Sequence, residues 1–161
     1  MSDYQPRIGE IGLVSTRGFI GFLIQLGTFS KLNHAFIYEG NNTIIEATPL
    51  LGVKRSPVNT YQNIVWSRHV DFTPEQGLSI ATEAGKHVGA KYFYGDFGIL
   101  AARILHLPLP KFMLKRLATS KKYICSQLAA HCWRSAGLSI VPEKPEYFVT
   151  PSDIGLMFWY T

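Results

Sequence analysis

Two runs of β-forming residues around a Gly-Asn-Asn break constrain this chain more than any other feature. His34-Ala35-Phe36-Ile37-Tyr38-Glu39 and Thr43-Ile44-Ile45-Glu46-Ala47 flank Gly40-Asn41-Asn42. β-Branched and aromatic residues suit a pleated strand, and Gly and Asn tolerate the left-handed backbone of a tight turn. The pattern predicts a hairpin with a three-residue loop. Register matters here, because a slip of one residue turns a whole strand over. A two-residue loop at Gly40-Asn41 pairs residue 39 with residue 42 and puts His34 and Glu46 on opposite faces. A three-residue loop pairs 39 with 43 and puts them on one face as diagonal neighbours, so their meeting requires that odd loop or a bulge.

Other segments surround the hairpin with strands and helices. Ile11 to Val14 reads as a short strand after the Gly9-Glu10 turn, and Ile64 to Val70 as another. Gly18 to Leu26 is apolar at mixed spacing and suits a short helix. Thr73-Pro74-Glu75-Gln76 is a helix start: Thr73 caps, Pro74 fits the first turn and Gln76 completes a capping box. That helix is expected to run to about Val88 and stop at Gly89. Asp96 to Leu105 suits a further helix, ended by Pro108 and Pro110. From Tyr123 to Ala136, Cys125, Leu128, Ala129, Cys132, Trp133 and Ala136 recur at helical spacing on one face, with Gly137 as the stop. Thr150-Pro151-Ser152-Asp153 is a turn or another helix start. With no internal repeat and no low-complexity linker, residues 1–161 read as one α+β domain with helices packed on a small antiparallel sheet.

Composition fits a globular protein, with 47% hydrophobic and 17% charged residues. The formal charge of +5 favours anionic partners, although solubility alone also explains it. No base-stacking or groove-reading motif accompanies the charge, so no nucleic-acid partner is expected. Cys125 and Cys132, seven apart on one helix, stand about 10 Å apart along its axis. They are too far apart for a disulfide and too few for a zinc site, so both are expected as free thiols. Met1 to Glu10 is polar and has no signal-peptide pattern. The most apolar stretch, Phe19 to Leu26, falls far short of the roughly 20 residues a membrane span needs. Synthesis in the cytoplasm is the expectation, with release by lysis or carriage by a phage as a route to any external target.

Cys125 is the first candidate for chemistry. The first turn of a helix has free N–H groups and partial positive charge, which favour thiolate over thiol and can bind a developing oxyanion. Lys121 and Lys122 add positive charge just upstream. Burial as a small hydrophobe is the plain alternative. His34, at the start of its strand, is a candidate general base or a packing residue. His69, His87 and His106 have weaker contexts. His131 lies six residues from Cys125, on the opposite side of the same helix, and is a poor base for it. Glu46 is the candidate third member, orienting the imidazole and stabilising its charged form, unless it is an ordinary surface carboxylate.

These segments together resemble the NlpC/P60 family of papain-like cysteine peptidases that act on peptidoglycan. Gly89-Ala90-Lys91-Tyr92-Phe93-Tyr94-Gly95, then Cys125-Ser126-Gln127-Leu128, then Ala136-Gly137-Leu138 resemble that family's cysteine half. His34-Ala35-Phe36-Ile37-Tyr38-Glu39-Gly40-Asn41 and Ile44-Ile45-Glu46-Ala47 resemble its histidine half. Here the histidine half comes first, an order similar to the circularly permuted, YiiX-like branch and, more distantly, lecithin:retinol acyltransferase. The similarity spans about Gly9 to Ala136. It implies a permuted papain-like fold, Cys125 as nucleophile, His34 as base, Glu46 as the third polar residue, and Tyr92 as a contributor to the oxyanion hole. Tyr92 reads equally well as a core aromatic. The implied reaction is thiol-dependent hydrolysis of an amide, needing no cofactor or metal.

Two departures from the family pattern stand out. Gln127 replaces a small or acidic residue two places after the cysteine. The stretch from Asp96 to Ile124 is longer than the corresponding loop. Within it Arg103, Lys111, Lys115, Arg116, Lys121 and Lys122 meet no Asp or Glu from 103 to 122, and the other ten basic residues are offset by eleven acidic ones. Ile104, Leu105, Leu107, Leu109, Phe112, Met113, Leu114 and Leu117 share the segment. Basic and apolar together fit a membrane surface or an acidic cell-wall polymer, and also fit a helical lid with solvated lysines. Three functions therefore remain open: cleavage of a cell-wall peptide, hydrolysis or acyl transfer on a lipid ester or amide, and a non-catalytic binding role.

Overall fold

The described residues build a five-stranded antiparallel sheet. A computed structural model describes residues 4–16, 31–49, 51–91, 124–146 and 149–160. The strands are β1 (Ile11–Val14), β2 (His34–Gly40), β3 (Thr43–Thr48), β4 (Gly52–Pro57) and β5 (Val65–Trp66), with the short 3₁₀ turn Val58–Thr60 after β4. They lie in the order β4-β3-β2-β1-β5. Among the described residues three helices follow: α1 (Pro74–Lys86), α2 (Cys125–Ser135) and α3 (Pro151–Tyr160). The segments 18–26 and 96–105, read above as helices, lie outside the described residues, as do Tyr92 and residues 103–122.

The hairpin forms by a different route from the expected three-residue loop. Gly40 pairs with Thr43, so the turn is the two residues Asn41 and Asn42, both left-handed at φ 48° and 58°. That is the backbone of a two-residue turn whose twist suits a hairpin. Left unbroken, this pairing would place His34 and Glu46 on opposite faces. A register shift between Tyr38 and Gly40 prevents it, and beyond the shift Tyr38 pairs with Ile44 and Phe36 with Glu46. Glu39 is the extra residue of the bulge. One inserted residue flips the parity of the strand, so His34 and Glu46 share a face.

The two faces of the sheet bury different things. Ile11, Leu13, Ala35, Ile37, Ile45 and Ala47 point to the main core, where Ile80 and Ala84 of α1, Leu128 and Trp133 of α2, and Ile154 and Phe158 of α3 meet them. The opposite face carries a smaller cluster of Val14, Phe36 and Ile44, flanked by Tyr38, Tyr61 and Trp66. Phe36 stacks on Tyr61 and meets Trp66 edge-on, with centroids 5.3 and 5.7 Å away. Gly12 sits opposite Phe36, and a Cβ there would lie 2.2 Å from its ring. The second cluster therefore requires glycine at position 12.

Helix ends follow their local chemistry. Thr73 and Gln76 exchange both hydrogen bonds of a capping box, and α1 ends at Lys86, two residues before Val88, with Gly89 left-handed at φ 92°. Thr150 and Asp153 cap α3 reciprocally, settling that stretch as a helix start. β5 is shorter than the strand read over Ile64 to Val70. The Ser67 side chain accepts the Ile11 N–H, and Val70 N–H then bonds Ser67 O, which turns the chain away from β1. Trp133 donates its indole N–H to Gly9 O at 3.0 Å, anchoring α2 to the chain entering β1. Among the described residues, no helix is long and apolar enough to cross a membrane.

Candidate active site

Cys125 is the first residue of α2, and its thiol is buried. Ile124, the N-cap, has no side-chain acceptor for the helix N–H groups. Gln127 instead reaches back to accept the Ile124 N–H at 3.3 Å. Its long amide side chain at the third helical position is thus the supporting half of a capping box, which accounts for Gln127 at this place. Ser126 donates to Val149 O at 2.6 Å and fixes the same turn from the other side. Backbone N–H groups of Ser126 and of Ala35 favour the charged form of the Cys125 thiol. The helix start and β2 thus meet at the sulfur.

His34 opens β2 and is 7% exposed. Its Nε2 lies 2.7 Å from Glu46 Oε2, and its ring interacts with the Cys125 thiol. With Nε2 committed to the carboxylate, Nδ1 is the ring nitrogen left for the sulfur. The bulge at Glu39 makes this contact possible, because it brings Glu46 onto the His34 face.

Glu46 is fully buried and saturated with donors. Ser56 Oγ donates to Oε1 at 2.5 Å, and Lys54 Nζ stands 3.1 Å from the same oxygen. Tyr61 Oη donates to Oε2 at 2.5 Å beside the histidine. Lys54 also donates to Ser56 at 2.6 Å. Lys54 and Ser56 reach the carboxylate because β4 pairs Glu46 with Lys54 and Ile44 with Ser56. A buried carboxylate keeps its charge only when so satisfied.

The three groups shift one another's protonation. Burial alone opposes charge on each. For His34, the hydrogen bonds to Cys125 and Glu46 outweigh burial and raise the imidazole to about 9. For Glu46, the bonds from His34, Ser56 and Tyr61 outweigh burial and lower the carboxyl to about 2. For Cys125, the His34 bond and the two backbone N–H groups outweigh burial and lower the thiol. The Tyr61 phenol is pushed upward, by burial and then by Glu46, so it stays a donor. Together these shifts favour a thiolate–imidazolium pair on a fixed carboxylate, an arrangement suited to nucleophilic attack at carbonyl carbon.

The structure therefore brings Cys125, His34 and Glu46 together. Tyr92 lies outside the described residues. Ser56, Lys54 and Tyr61 were missed by sequence reasoning. Gly52–Pro57 lacks the apolar alternation of a strand, and Tyr61 sits in an irregular bend, so neither carried a signal. Comparison of the chain with protein-family models and with curated proteins gives no match.

Proposed function

We propose that the protein is a papain-type cysteine hydrolase of the circularly permuted NlpC/P60 kind, acting on an amide bond. The observation that supports this most is the His34–Glu46 pair at 2.7 Å, together with the electrostatic coupling of His34 to the buried Cys125 thiol at the start of α2. The Cys125 thiolate attacks the substrate carbonyl, and the negative charge passes to the carbonyl oxygen. N–H groups at the start of α2 stabilise it. The His34 imidazolium gives its proton to the departing amine as the C–N bond breaks, leaving a thioester on Cys125. His34, now neutral, takes a proton from water, whose oxygen attacks the thioester. The acid leaves, the thiolate returns and His34 is again protonated. Glu46 keeps the ring oriented and its positive charge compensated throughout.

A cell-wall peptide is the substrate class this reading favours, and the resemblance across residues 9–136 is its basis. The basic, apolar run at 103–122 supports the alternative of a lipid ester or amide at an anionic membrane. Labelling with an electrophilic active-site probe tests the chemistry. Cys125→Ala should abolish labelling and Cys132→Ala should leave it intact, whereas equal labelling of both cysteines would refute the reading. Release of peptide from purified peptidoglycan fragments supports the first substrate. Turnover only in the presence of anionic liposomes supports the second. A Cys125 thiol no more reactive than glutathione at pH 6 would point to a binding protein instead.

A further inference from the structure

A second cluster of reactive side chains lies farther along α2, where that helix packs against α1. Glu83 lies in the last turn of α1 and His87 is the C-cap four residues on, and His131 projects toward them from α2. Glu83 Oε1 is 3.3 Å from His87 Nε2 and 3.7 Å from His131 Nε2. The three ligand atoms all lie within 4.8 Å of one another, and all three residues are half-buried. Ligand atoms around a tetrahedral zinc ion with bonds of about 2.0–2.1 Å are separated by about 3.3–3.4 Å. One edge of the triangle already has that length, and a second exceeds it by a few tenths of an ångström.

The surroundings fit the same interpretation. The far nitrogen of His131, Nδ1, meets Glu146 Oε1 at 3.1 Å. Metal-bound histidines are commonly oriented in this way, by a carboxylate on the ring nitrogen that does not bind the metal. Lys86 holds the other carboxylate oxygen of Glu83 at 2.7 Å, which fixes the group with Oε1 turned inward. The two imidazole rings meet edge to face with centroids 5.2 Å apart. Two imidazoles and one carboxylate suit Zn²⁺ and its transition-metal neighbours rather than Ca²⁺ or Mg²⁺, which prefer all-oxygen shells.

We propose that Glu83, His87 and His131 form a binding site for a divalent transition-metal ion, with Zn²⁺ the leading candidate. Water fills the fourth position, and Glu146 is the positioning residue for His131. The site is separate from the thiol chemistry. His131 is six residues beyond Cys125, about 9 Å along the helix axis, and His34 and Glu46 belong to the opposite face of the sheet. Bound metal would join α1, α2 and, through Glu146, the segment following α2.

Zinc titration of the full chain tests the proposal, with Cys125→Ser as the parent so that the Cys125–His34 pair does not compete. The parent should bind one equivalent of Zn²⁺, and its thermal midpoint should rise until that equivalent is reached. Co²⁺ should give the visible bands of a tetrahedral nitrogen–oxygen site without a thiolate charge-transfer band. In the parent background, His87→Ala with His131→Ala should abolish binding. Glu83→Gln, which keeps the side-chain shape, should weaken it strongly if the double variant fails to fold. Glu146→Gln should weaken it by about 10-fold or more, the usual cost of losing such a partner. Absence of a stoichiometric site in the parent, unchanged affinity in Glu83→Gln, or a thiolate band implicating Cys132 would overturn the proposal.

Discussion

Cys125 and Cys132 lie two turns apart on α2, both buried and both free, yet their surroundings drive them in opposite chemical directions. Cys125 sits at the helix N-terminus, where an imidazole and two backbone N–H groups lower its thiol. Cys132 sits mid-helix among core residues, where burial and then the carboxylates of Glu83 and Glu146 push its thiol up. Depth of burial is shared and cannot account for the difference. What differs is whether the neighbours offer protons or negative charge. Thiol reactivity on one helix is thus set by end position and by partners from other elements.

The sharpest way to break the comparison is to exchange the roles by mutation. Cys125→Ala should abolish probe labelling and all turnover. Cys132→Ala should preserve both and cost only on the order of 1 kcal/mol of stability, the price of a small void, measured by urea unfolding. His34→Ala should reduce the alkylation rate of Cys125 at pH 6 by about 100-fold or more, as expected for loss of an acid–base partner. It should leave Cys132 unchanged, and equal slowing of both thiols would show a general structural effect instead.

Glu46 provides an intermediate effect with a definite sign. Its carboxyl is lowered in the folded chain from an ordinary value of 4.5 to about 2. A lowered acid contributes stability above its unfolded pKa and loses it as pH falls toward the folded one. Unfolding measured from pH 5 down to pH 2 should therefore show an acid-sensitive contribution of about 3 kcal/mol. Glu46→Gln should remove that contribution, and an identical acid slope in the variant would contradict the assignment. The smallest effect is expected from Tyr61→Phe, which deletes one of four groups around the carboxylate. A loss of about 1 kcal/mol in stability and a few-fold drop in labelling rate are expected. A Tyr61→Phe effect as large as that of Glu46→Gln would make the phenol a member of the reacting set.

Much of this arrangement was legible in the sequence, for reasons that differ by region. The capping box at Thr73–Gln76 and the apolar stripe of α2 are local signals, and local signals survive folding. The convergence of His34, Glu46 and Cys125 was implied by motif resemblance, while strand parity left two facings open and helix-end electrostatics singled out Cys125 alone. The sequence left open whether an odd loop or a bulge sets that parity, because an Asn-Asn turn with a bulge at Glu39 and a simple three-residue loop give the same facing. β4 escaped notice because Lys54 and Ser56, which face Glu46, are polar where a half-buried strand would show apolar alternation. Those residues are polar because they serve Glu46. The Glu83–His87–His131 cluster was equally hidden, since its members come from two helices brought together only by packing.

The pH dependence of Cys125 alkylation by iodoacetamide, followed in the Cys132→Ala protein with and without His34→Ala, tests the thiolate–imidazolium pair most directly. The account predicts a reactive thiol whose rate has its midpoint well below the ordinary thiol value near 8.5, moving up toward or beyond that value when His34 is removed. A midpoint at the ordinary value in the parent, unmoved by His34→Ala, would contradict it.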